Sequence, residues 1–281
     1  ANKIYGYGGN DSLYGLGGVD TIFGDTGNDN IYTGTGIGDV ALGEGGTDTL
    51  YGNFDSDFLI GGIVSSTLIE DLDLDWINLT STTAGVILDL STTVTAGTGI
   101  YSGLYSKALI VDATPLVNTD NTEFDYIRQI EHIIGSTGDD TFTGNALQNS
   151  ILAGAGDDII YYTRGNDYYD GGNHTTIAGT QGSTAAAVGG GDWISLAKET
   201  TSTVDFRLDN SNVGGNIAGG LATITNIENV IGYDGTQAST GYGNTGNNIF
   251  VMYGGTDHIL GSNGNDIYDL GAGNDRASAN E

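Results

Sequence analysis

Apolar and polar positions recur with a period of nine over the first sixty or so residues of the chain. Each unit is a glycine-rich turn that ends on Asp, followed by three residues whose middle member is apolar, as in G-D-T-G-N-D-N-I-Y at residues 24–32. Alternation along a strand points the middle residue inward and its two neighbours outward. The pattern therefore predicts short β-strands with these inward residues: Leu13, Ile22, Ile31, Ala41, Leu50 and Leu59.

A strand of about three residues buries too little apolar surface to be stable alone, so we expect the units to stack into a coil. With two strands in each turn of the coil, every second Asp that closes a turn lies one rung above the previous one. The two predicted columns are Asp11, Asp29 and Asp48, and Asp20, Asp39 and Asp57.

Stacked carboxylates repel one another unless a cation lies between them. At one strand spacing, roughly 4.8 Å, two carboxylates repel by ~0.9 kcal/mol in water and by ~3.5 kcal/mol at an effective dielectric of 20. A divalent cation between successive rungs converts this repulsion into coordination. Carboxylates and turn carbonyls are the hard oxygen ligands that Ca²⁺ takes, so each predicted site belongs to a pair of turns.

The nonapeptide pattern returns in two later runs, over residues 135–170 and 243–278. Asn149 keeps an oxygen ligand but loses a charge, so we expect its site to be weaker or to recruit water. The closing residues of the second run are Asp140, Asn149, Asp158 and Asp167, and those of the third run are Asn248, Asp257, Asp266 and Asp275.

Two similar inserts separate the runs. Each contains a D-W-I-x-L segment (residues 75–79 and 192–196) and an I-E-x-[IV]-I-G segment (residues 130–135 and 227–232), so a larger module is duplicated. Asp75 and Asp192 precede strands as closing Asp residues do, and they join the candidate ligands. We expect wide β coils at residues 85–90 and 126–135, with a polar surface excursion over residues 91–123. The predicted domains are residues 1–62, 63–134, 135–172, 173–242 and 243–281.

The tandem units resemble the G-G-x-G-x-D-x-U-x nonapeptides of the RTX (repeats-in-toxin) family, which bind calcium. The D-W-I-x-L and I-E-x-[IV]-I-G segments are similar to those of long RTX surface proteins. This resemblance implies an all-β fold, a right-handed parallel β-roll or β-helix solenoid with Ca²⁺ in its turns, interrupted here by the wide coils. It also implies secretion, mostly by the bacterial type I route, and roughly eight or more bound calcium ions.

Composition narrows the partners that the chain can bind. The 281 residues include 49 glycines and no cysteine, and the net charge is −29. Nucleic acid and anionic membranes are excluded as partners because phosphate contact requires clustered Lys and Arg. No apolar run is long enough for membrane insertion. Without disulfides, calcium must supply the cross-links of a secreted protein. Ala1 lies in what reads as a repeat strand, so we expect the chain to be a segment of a longer protein.

The sequence lacks the motifs of the common catalytic sites. Its three histidines, His132, His174 and His258, are far apart, and none lies in H-E-x-x-H. There is no G-x-S-x-G elbow and no G-K-[ST] phosphate loop. We therefore predict that the chain is not an enzyme.

Two sets of outward residues in the first run form candidate surface columns. Ordinary ladder packing, partly covered by the following segment, and a contact face for a partner both account for them. The columns are Tyr14, Tyr32 and Tyr51, and Phe23, Leu42 and Ile60.

The preferred functional hypothesis is an extracellular calcium-binding structural protein, a segment of a secreted adhesin, surface filament or surface (S-)layer at the bacterial cell surface. It would fold and assemble on Ca²⁺ binding, with copies of itself or a cell-surface component as partners. The alternative is the non-catalytic carboxy-terminal RTX module that serves secretion and stability of a secreted enzyme or toxin.

Overall fold

A computed structural model of the protein describes residues 1–62, 73–97, 103–111, 124–173, 191–198, 205–208, 215–217, 222–233, 235–236 and 238–279. The predicted excursion over residues 91–123 lies partly outside the described residues, and Pro115 is among those outside. His174 and most of residues 174–221 also lie outside the described residues. The chain divides into two compact units, Ala1–Thr137 and Gly138–Glu281. The division into five predicted domains remains a prediction.

Unit 1 begins with short strands at the predicted nonapeptide spacing. Its strands are β1 (Lys3–Tyr5), β2 (Ser12–Tyr14), β3 (Thr21–Phe23), β4 (Asn30–Tyr32), β5 (Val40–Leu42), β6 (Thr49–Tyr51), β7 (Phe58–Ile60), β8 (Trp76–Asn78), β9 (Gly85–Asp89), β10 (Val94–Ala96), β11 (Gly103–Val111), β12 (Phe124–Arg128) and β13 (His132–Ile134).

Alternate strands of unit 1 belong to two sheets. Within this unit one sheet runs in the order β1-β3-β5-β7-β12-β11-β9, with β10 beside β11, and the other runs β2-β4-β6-β8-β13. The neighbours from β1 to β7, and all neighbours of the second sheet, pair in parallel and in register, as Ile22 with Ala41 and Ile31 with Leu50. This confirms the predicted β-roll with two strands in each rung.

Unit 2 repeats the pattern. Its strands are β14 (Thr141–Thr143), β15 (Ser150–Leu152), β16 (Ile159–Tyr161), β17 (Asp167–Asp170), β18 (Trp193–Ser195), β19 (Asp205–Arg207), β20 (Gly215–Ile217), β21 (Ala222–Thr225), β22 (Asn229–Ile231), β23 (Thr240–Tyr242), β24 (Ile249–Val251), β25 (Gly254–Gly255), β26 (His258–Leu260), β27 (Ile267–Asp269), β28 (Ala272–Gly273) and β29 (Arg276–Ser278).

Unit 2 also has two main sheets. One runs β14-β16-β18-β22-β24-β27 and is parallel throughout. The other runs β15-β17-β21-β20-β19-β23-β26-β29, in which β20 is antiparallel to both of its neighbours. A small parallel pair joins β25 to β28.

The middle residues of the strands form the core, as the alternation predicts. Leu13, near the start of unit 1, is the one predicted inward residue that stays half-exposed among those described. The fully buried middle residues are Ile22, Ile31, Ala41, Leu50, Leu59 and Ile77 in unit 1, and Phe142, Ile151, Ile160, Tyr169, Ile194, Val230, Phe250 and Ile259 in unit 2.

The inserts differ from the expected wide coils in strand direction. In unit 1, β11 pairs antiparallel with both β9 and β12, and β12 returns to the parallel roll beside β7. Parallel neighbours need the chain to travel back round a coil, whereas antiparallel neighbours do not. Because the insert lacks the repeated glycine turns that bring the chain back, its strands reverse instead.

The segment 126–135, expected to be one strand, is divided into β12 and β13. Gln129 lies between them with φ of 52°, and Asn226 lies between β21 and β22 with φ of 50°. A positive φ in a residue other than glycine is uncommon and turns the chain sharply. Each I-E-x-[IV]-I-G segment therefore follows a corner, which the apolar pattern alone did not indicate.

Of the two predicted surface columns, the tyrosine column is exposed at Tyr14 and half-buried at Tyr32 and Tyr51, and the other is largely covered. The rings of Tyr14, Tyr32 and Tyr51 stack with centroids 4.7 and 4.1 Å apart, and Tyr14 is 53 % exposed. Leu42 and Ile60 are buried, so the expectation of an exposed column fails for them. Among the described residues, none forms a helix long and apolar enough to cross a membrane.

Candidate metal centre

The closing Asp residues of unit 1 form two buried columns. In each column the backbone N–H of one Asp donates to Oδ1 of the Asp on the next rung. Five of the closing residues are at most 1 % exposed: Asp20, Asp29, Asp39, Asp48 and Asp57. The first column consists of Asp11 to Asp29 (2.8 Å), Asp29 to Asp48 (2.7 Å) and Asp48 to Asp75 (2.8 Å), and the second of Asp20 to Asp39 (2.6 Å) and Asp39 to Asp57 (2.8 Å).

The second carboxylate oxygen of these residues points to a ligand. Oδ2 is buried and makes no hydrogen bond of ordinary geometry in Asp11, Asp20, Asp29, Asp39 and Asp57. Burial of an ionised oxygen without a partner is costly, because the oxygen loses its water and gains nothing in return. A row of such oxygens fits a row of cations.

A turn carbonyl lies against the same glycine as Oδ2 of Asp11, of Asp20 and of Asp29. A Cβ placed on Gly24 would lie 2.5 Å from Asp29 Oδ2 and 2.5 Å from the carbonyl oxygen of Gly43, which belongs to the next rung. Only a residue without a side chain leaves that space open. Carboxylate and carbonyl oxygens converging on a small space are the donor set of Ca²⁺, so the residues fit this ion.

Unit 2 contains an equivalent column, which also includes the Asp of the D-W-I-x-L segment at residues 192–196. Asp140 N–H donates to Asp158 Oδ1 at 2.7 Å, and Asp158 N–H donates to Asp192 Oδ1 at 2.8 Å. Oδ2 is buried without a hydrogen bond in Asp158 and Asp192. Asp192 therefore lies in a carboxylate column, as Asp75 does in unit 1.

Sequence reasoning missed the next members of these columns, Glu131 and Glu228. Asp75 N–H donates to Glu131 Oε2 at 3.2 Å, and Asp192 N–H donates to Glu228 Oε2 at 2.9 Å. Both glutamates are the E of I-E-x-[IV]-I-G, and each directly precedes a strand, β13 or β22. That position before a strand was the available signal, since it is where a closing Asp stands in the repeats.

Two candidate ligands are engaged by tyrosine. The Tyr169 hydroxyl donates to Asp167 Oδ2 at 2.7 Å, and the Tyr268 hydroxyl donates to Asp266 Oδ2 at 3.4 Å. Tyrosine occupies the inward place of both strands, so its hydroxyl reaches the carboxylate of the same unit. These oxygens already have a donor, unlike those of the other columns.

The asparagines that replace Asp close their turns by amide hydrogen bonds. Asn149 Oδ1 accepts from Asn145 N–H at 2.9 Å, and Asn149 Nδ2 donates to Asn145 Oδ1 at 3.1 Å. Asn248 pairs with Asn244 in the same way, at 3.0 and 2.9 Å. The side-chain oxygen of each Asn thus already has a donor, and the weaker site expected at Asn149 stays a prediction.

The last part of unit 2 carries a shorter column. Ser239 N–H donates to Asp257 Oδ1 at 2.8 Å, and Asp257 N–H donates to Asp275 Oδ1 at 2.9 Å. Oδ2 of Asp257 is buried without a hydrogen bond. Ser239 stands where the repeats have Asp, so this column contains one carboxylate fewer.

Burial of the columns disfavours the charged carboxylates. Burial raises the pKa of Asp158 to about 8, and the charges of Asp140 and Asp192 add to the rise. Burial likewise raises the pKa of Asp192 to about 7, helped by the charge of Glu228. The pKa of Asp29 and that of Asp39 are also raised by burial. When bound, calcium supplies the positive charge that lets these groups stay ionised.

A further acidic group ends the first roll. One oxygen each of Asp55, Asp57 and Asp125 lies within 4.8 Å of the other two. Burial and the charge of Asp125 raise the pKa of Asp57 to about 8, and burial raises the pKa of Asp125 to about 7. Sequence reasoning named Asp57 and missed the other two, although Asp125 directly precedes Tyr126-Ile127-Arg128, the part of β12 that pairs with β7, as a closing Asp precedes its strand.

Parallel rungs joined by glycine turns, with columns of inward carboxylates, define a β-roll built to hold cations in its turns. A family model described as the RTX calcium-binding nonapeptide repeat matches four blocks of the chain, residues 1–31, 33–68, 134–169 and 242–277. The chain therefore belongs to the RTX calcium-binding repeat family through these four blocks. No curated protein matches it.

The family membership makes this a calcium-binding repeat protein, and the structure shows where the predicted ligands lie. Closing Asp residues of the parallel rungs lie in buried columns, while Asp167, Asp266, Asn149 and Asn248 are engaged by neighbouring side chains. The role of each residue as a ligand, and the number of ions, remain predictions.

Proposed function

We propose that the chain is an extracellular calcium-binding structural protein, a segment of a secreted adhesin, surface filament or S-layer, that folds and assembles on Ca²⁺ binding. The observation that carries the proposal is the set of buried Oδ2 atoms without hydrogen bonds along the columns. Such columns oppose folding until cations neutralise them.

Calcium would act as the folding switch. Extracellular modules bind calcium at about 10⁻⁴–10⁻³ M, far above cytosolic concentrations, so the columns stay empty and repulsive inside a cell. Outside, binding free energy becomes folding free energy. The absence of cysteine agrees with cross-linking by calcium at the bacterial surface.

The duplicated insert module favours a structural protein over the secretion module of an enzyme. Both units combine a parallel roll with a D-W-I-x-L strand whose Asp contacts the Glu of the I-E-x-[IV]-I-G segment. Repetition of a large module builds length, which suits a filament or layer. A non-catalytic role is part of this proposal, since the chemistry that recurs in the repeats of this chain is that of cation binding.

Circular dichroism and light scattering test the two parts of the proposal. In excess chelator at about pH 7.5 the strand signal should be lost, and millimolar calcium should restore it together with larger particles. A native strand signal in chelator would refute the folding switch. A monodisperse monomer in millimolar calcium would refute self-assembly and leave a cell-surface component as the partner to seek.

A further inference from the structure

The end of the first roll carries an acidic arrangement that departs from the repeat pattern. In the unit that starts at Gly52, the fourth place holds Asp55, where the unit starting at Gly24 has Gly27. The next rung of the same sheet is β12, which brings Asp125 from the far side of the insert. One oxygen from each of Asp55, Asp57 and Asp125 lies within 4.8 Å of the others.

Hydrogen bonds hold Asp125 and Asp55 in place from one side. The Asp125 oxygens accept from Phe54 N–H at 3.0 Å and from Asp57 N–H at 3.1 Å. Asp55 Oδ2 accepts from Gly36 N–H at 3.0 Å and from the Asn53 amide at 3.0 Å. The carboxylates are thus fixed by the backbone rather than splayed into solvent.

The remaining oxygens independently indicate a ligand. Asp57 is fully buried, and its Oδ2 makes no hydrogen bond of ordinary geometry, while Oδ1 accepts from Asp39 N–H. Asp55 Oδ1 is also buried without a hydrogen bond. In the described part of the chain, none of the three carboxylates forms an ion pair with Lys or Arg. Three carboxylates this close, with buried oxygens that lack hydrogen bonds, fit a bound cation.

We propose that Asp55, Asp57 and Asp125 together bind one divalent cation of the calcium class, and that this cation fastens the insert strands β12 and β11 to the end of the first roll. The site rests on the proposed calcium-dependent folding and differs from the repeat turns in its third carboxylate. A higher ligand charge strengthens calcium binding, so this site fills before the repeat turns.

The cation has a mechanical consequence because of where Asp125 lies. β12 pairs with β7 of the roll on one side and with β11 on the other. Tyr105 of β11 is fully buried and packs edge-on against Phe58 of β7 at 5.4 Å. Neutralising the charge at Asp125 therefore stabilises the contact that lets the antiparallel strands join the parallel roll.

The test removes the third carboxylate and keeps the repeat. Asp55→Asn preserves the shape of the side chain, and Asp55→Gly restores the residue that most other repeats have at the fourth place. Asp25→Asn is the matched control, since Asp25 belongs to the same roll, accepts from Tyr7 N–H at 3.0 Å and lies outside the group. Native mass spectrometry counts bound calcium across a titration, and hydrogen exchange measures the amides of β11 and β12.

The wild type and Asp25→Asn should bind a first calcium ion at concentrations at least tenfold below the remaining ions, with protection of β12 and β11 appearing in the same step. Asp55→Asn and Asp55→Gly should lose that first step, and their β12 amides should exchange at least tenfold faster than in the control at low calcium. Ion counts, affinities and exchange equal to the control in either variant that folds would overturn the site.

The outcomes also separate this site from the proposed function. If the wild type binds no calcium, both proposals fail. If the wild type folds with calcium and both Asp55 variants bind it as the control does, only the three-carboxylate site fails. If neither Asp55 variant folds at saturating calcium, the carboxylate is needed for more than one early ion, and the proposal of a single fastening cation is wrong.

Discussion

Replacement of Asp158 by Asn should change stability in opposite directions with and without calcium. Asp158 is fully buried, its Oδ1 accepts from Asp140 N–H, and its Oδ2 has no hydrogen bond. Asn keeps the Oδ1 acceptor and the shape of the side chain while removing the charge. The chain tolerates Asn at this place of the repeat, as Asn149 and Asn248 demonstrate.

The magnitude without calcium follows from the pKa of Asp158. Burial raises that pKa from 3.8 to about 8. At about pH 7.5, which lies roughly 3.7 pH units above 3.8, the shift lowers the free energy of unfolding of the wild type by ~1.36 kcal/mol per pH unit. The loss is on the order of 5 kcal/mol relative to a group with an unshifted pKa. The Asn amide lacks the partner that Asn145 gives Asn149, since Gly154 stands there, and this omission costs about 1–3 kcal/mol. The net gain of the variant is therefore about 2–4 kcal/mol.

With calcium the sign reverses. The variant loses a charged ligand, and we expect this loss to weaken calcium binding at least a thousandfold, ~4.1 kcal/mol, which exceeds the gain of about 2–4 kcal/mol without calcium. Far-UV circular dichroism measures both states: folding driven by a stabilising osmolyte in calcium-free buffer, and folding driven by calcium. Asp158→Asn should need less osmolyte and more calcium than the wild type.

Asp139→Asn is the control, because Asp139 is an exposed neighbour whose Oδ1 accepts from Asp157 N–H, a contact that Asn can keep. Its two midpoints should shift much less than those of Asp158→Asn, because the charge of Asp139 is the smallest of the causes that raise the pKa of Asp158. The reasoning is wrong if Asp158→Asn lowers stability in both conditions, or if its calcium midpoint equals that of the wild type.

Three more predictions follow from the same structure. First, the raised pKa values of Asp158 (about 8) and Asp192 (about 7) mean that the calcium-free folded state binds more protons than the unfolded chain above about pH 4. Its stability therefore falls as pH rises from 4 to 8. Circular dichroism in calcium-free buffer should show more strand at pH 5 than at pH 8, and the reverse trend would contradict this. Second, Gly24→Ala should raise the calcium midpoint of folding at least tenfold, because the added Cβ would lie 2.5 Å from Asp29 Oδ2. The control Gly45→Ala, whose Cβ would lie 3.6 Å from its nearest neighbour, should change the midpoint little. Equal midpoints for the two variants would count against a site at this turn. Third, Tyr32→Ala should lower the free energy of unfolding in calcium by about 1–3 kcal/mol through the loss of two ring stacks, while Tyr32→Phe keeps both, and chemical denaturation distinguishes them.

The repeat register made the rolls predictable. A fixed period of nine places Ile22, Ile31 and Leu50 inward and stacks the closing Asp residues, so fold class and columns follow from spacing alone. Asp75 and Asp192 could also be found, because each directly precedes a strand with an inward Ile.

The parts that escaped prediction lie where the period fails. Asp125 comes after a long insert, so no spacing relates it to Asp57, although β12 pairs with β7. Glu131 and Glu228 carry one more methylene than the Asp of the repeats and follow corners at non-glycine residues. The antiparallel direction of β11 depends on pairing partners distant in sequence, which local alternation does not specify.

Sequence reasoning also missed that some closing Asp residues accept a hydrogen bond from an inward tyrosine. The alternation marks Tyr169 as a core residue, and it is fully buried. Its hydroxyl nevertheless satisfies Asp167, which a binary apolar–polar reading does not reveal. Closing Asp residues followed two places later by Tyr thus form a separate class within the repeats.

Anomalous diffraction from crystals grown in calcium tests the central claim most directly. The account predicts calcium peaks in the turns of the first roll, about 2.3–2.6 Å from Oδ2 of Asp29 and of Asp39 and from the carbonyls of the adjoining rung. An intact roll whose turns show no anomalous peak, with water alone around those carboxylates, would contradict it.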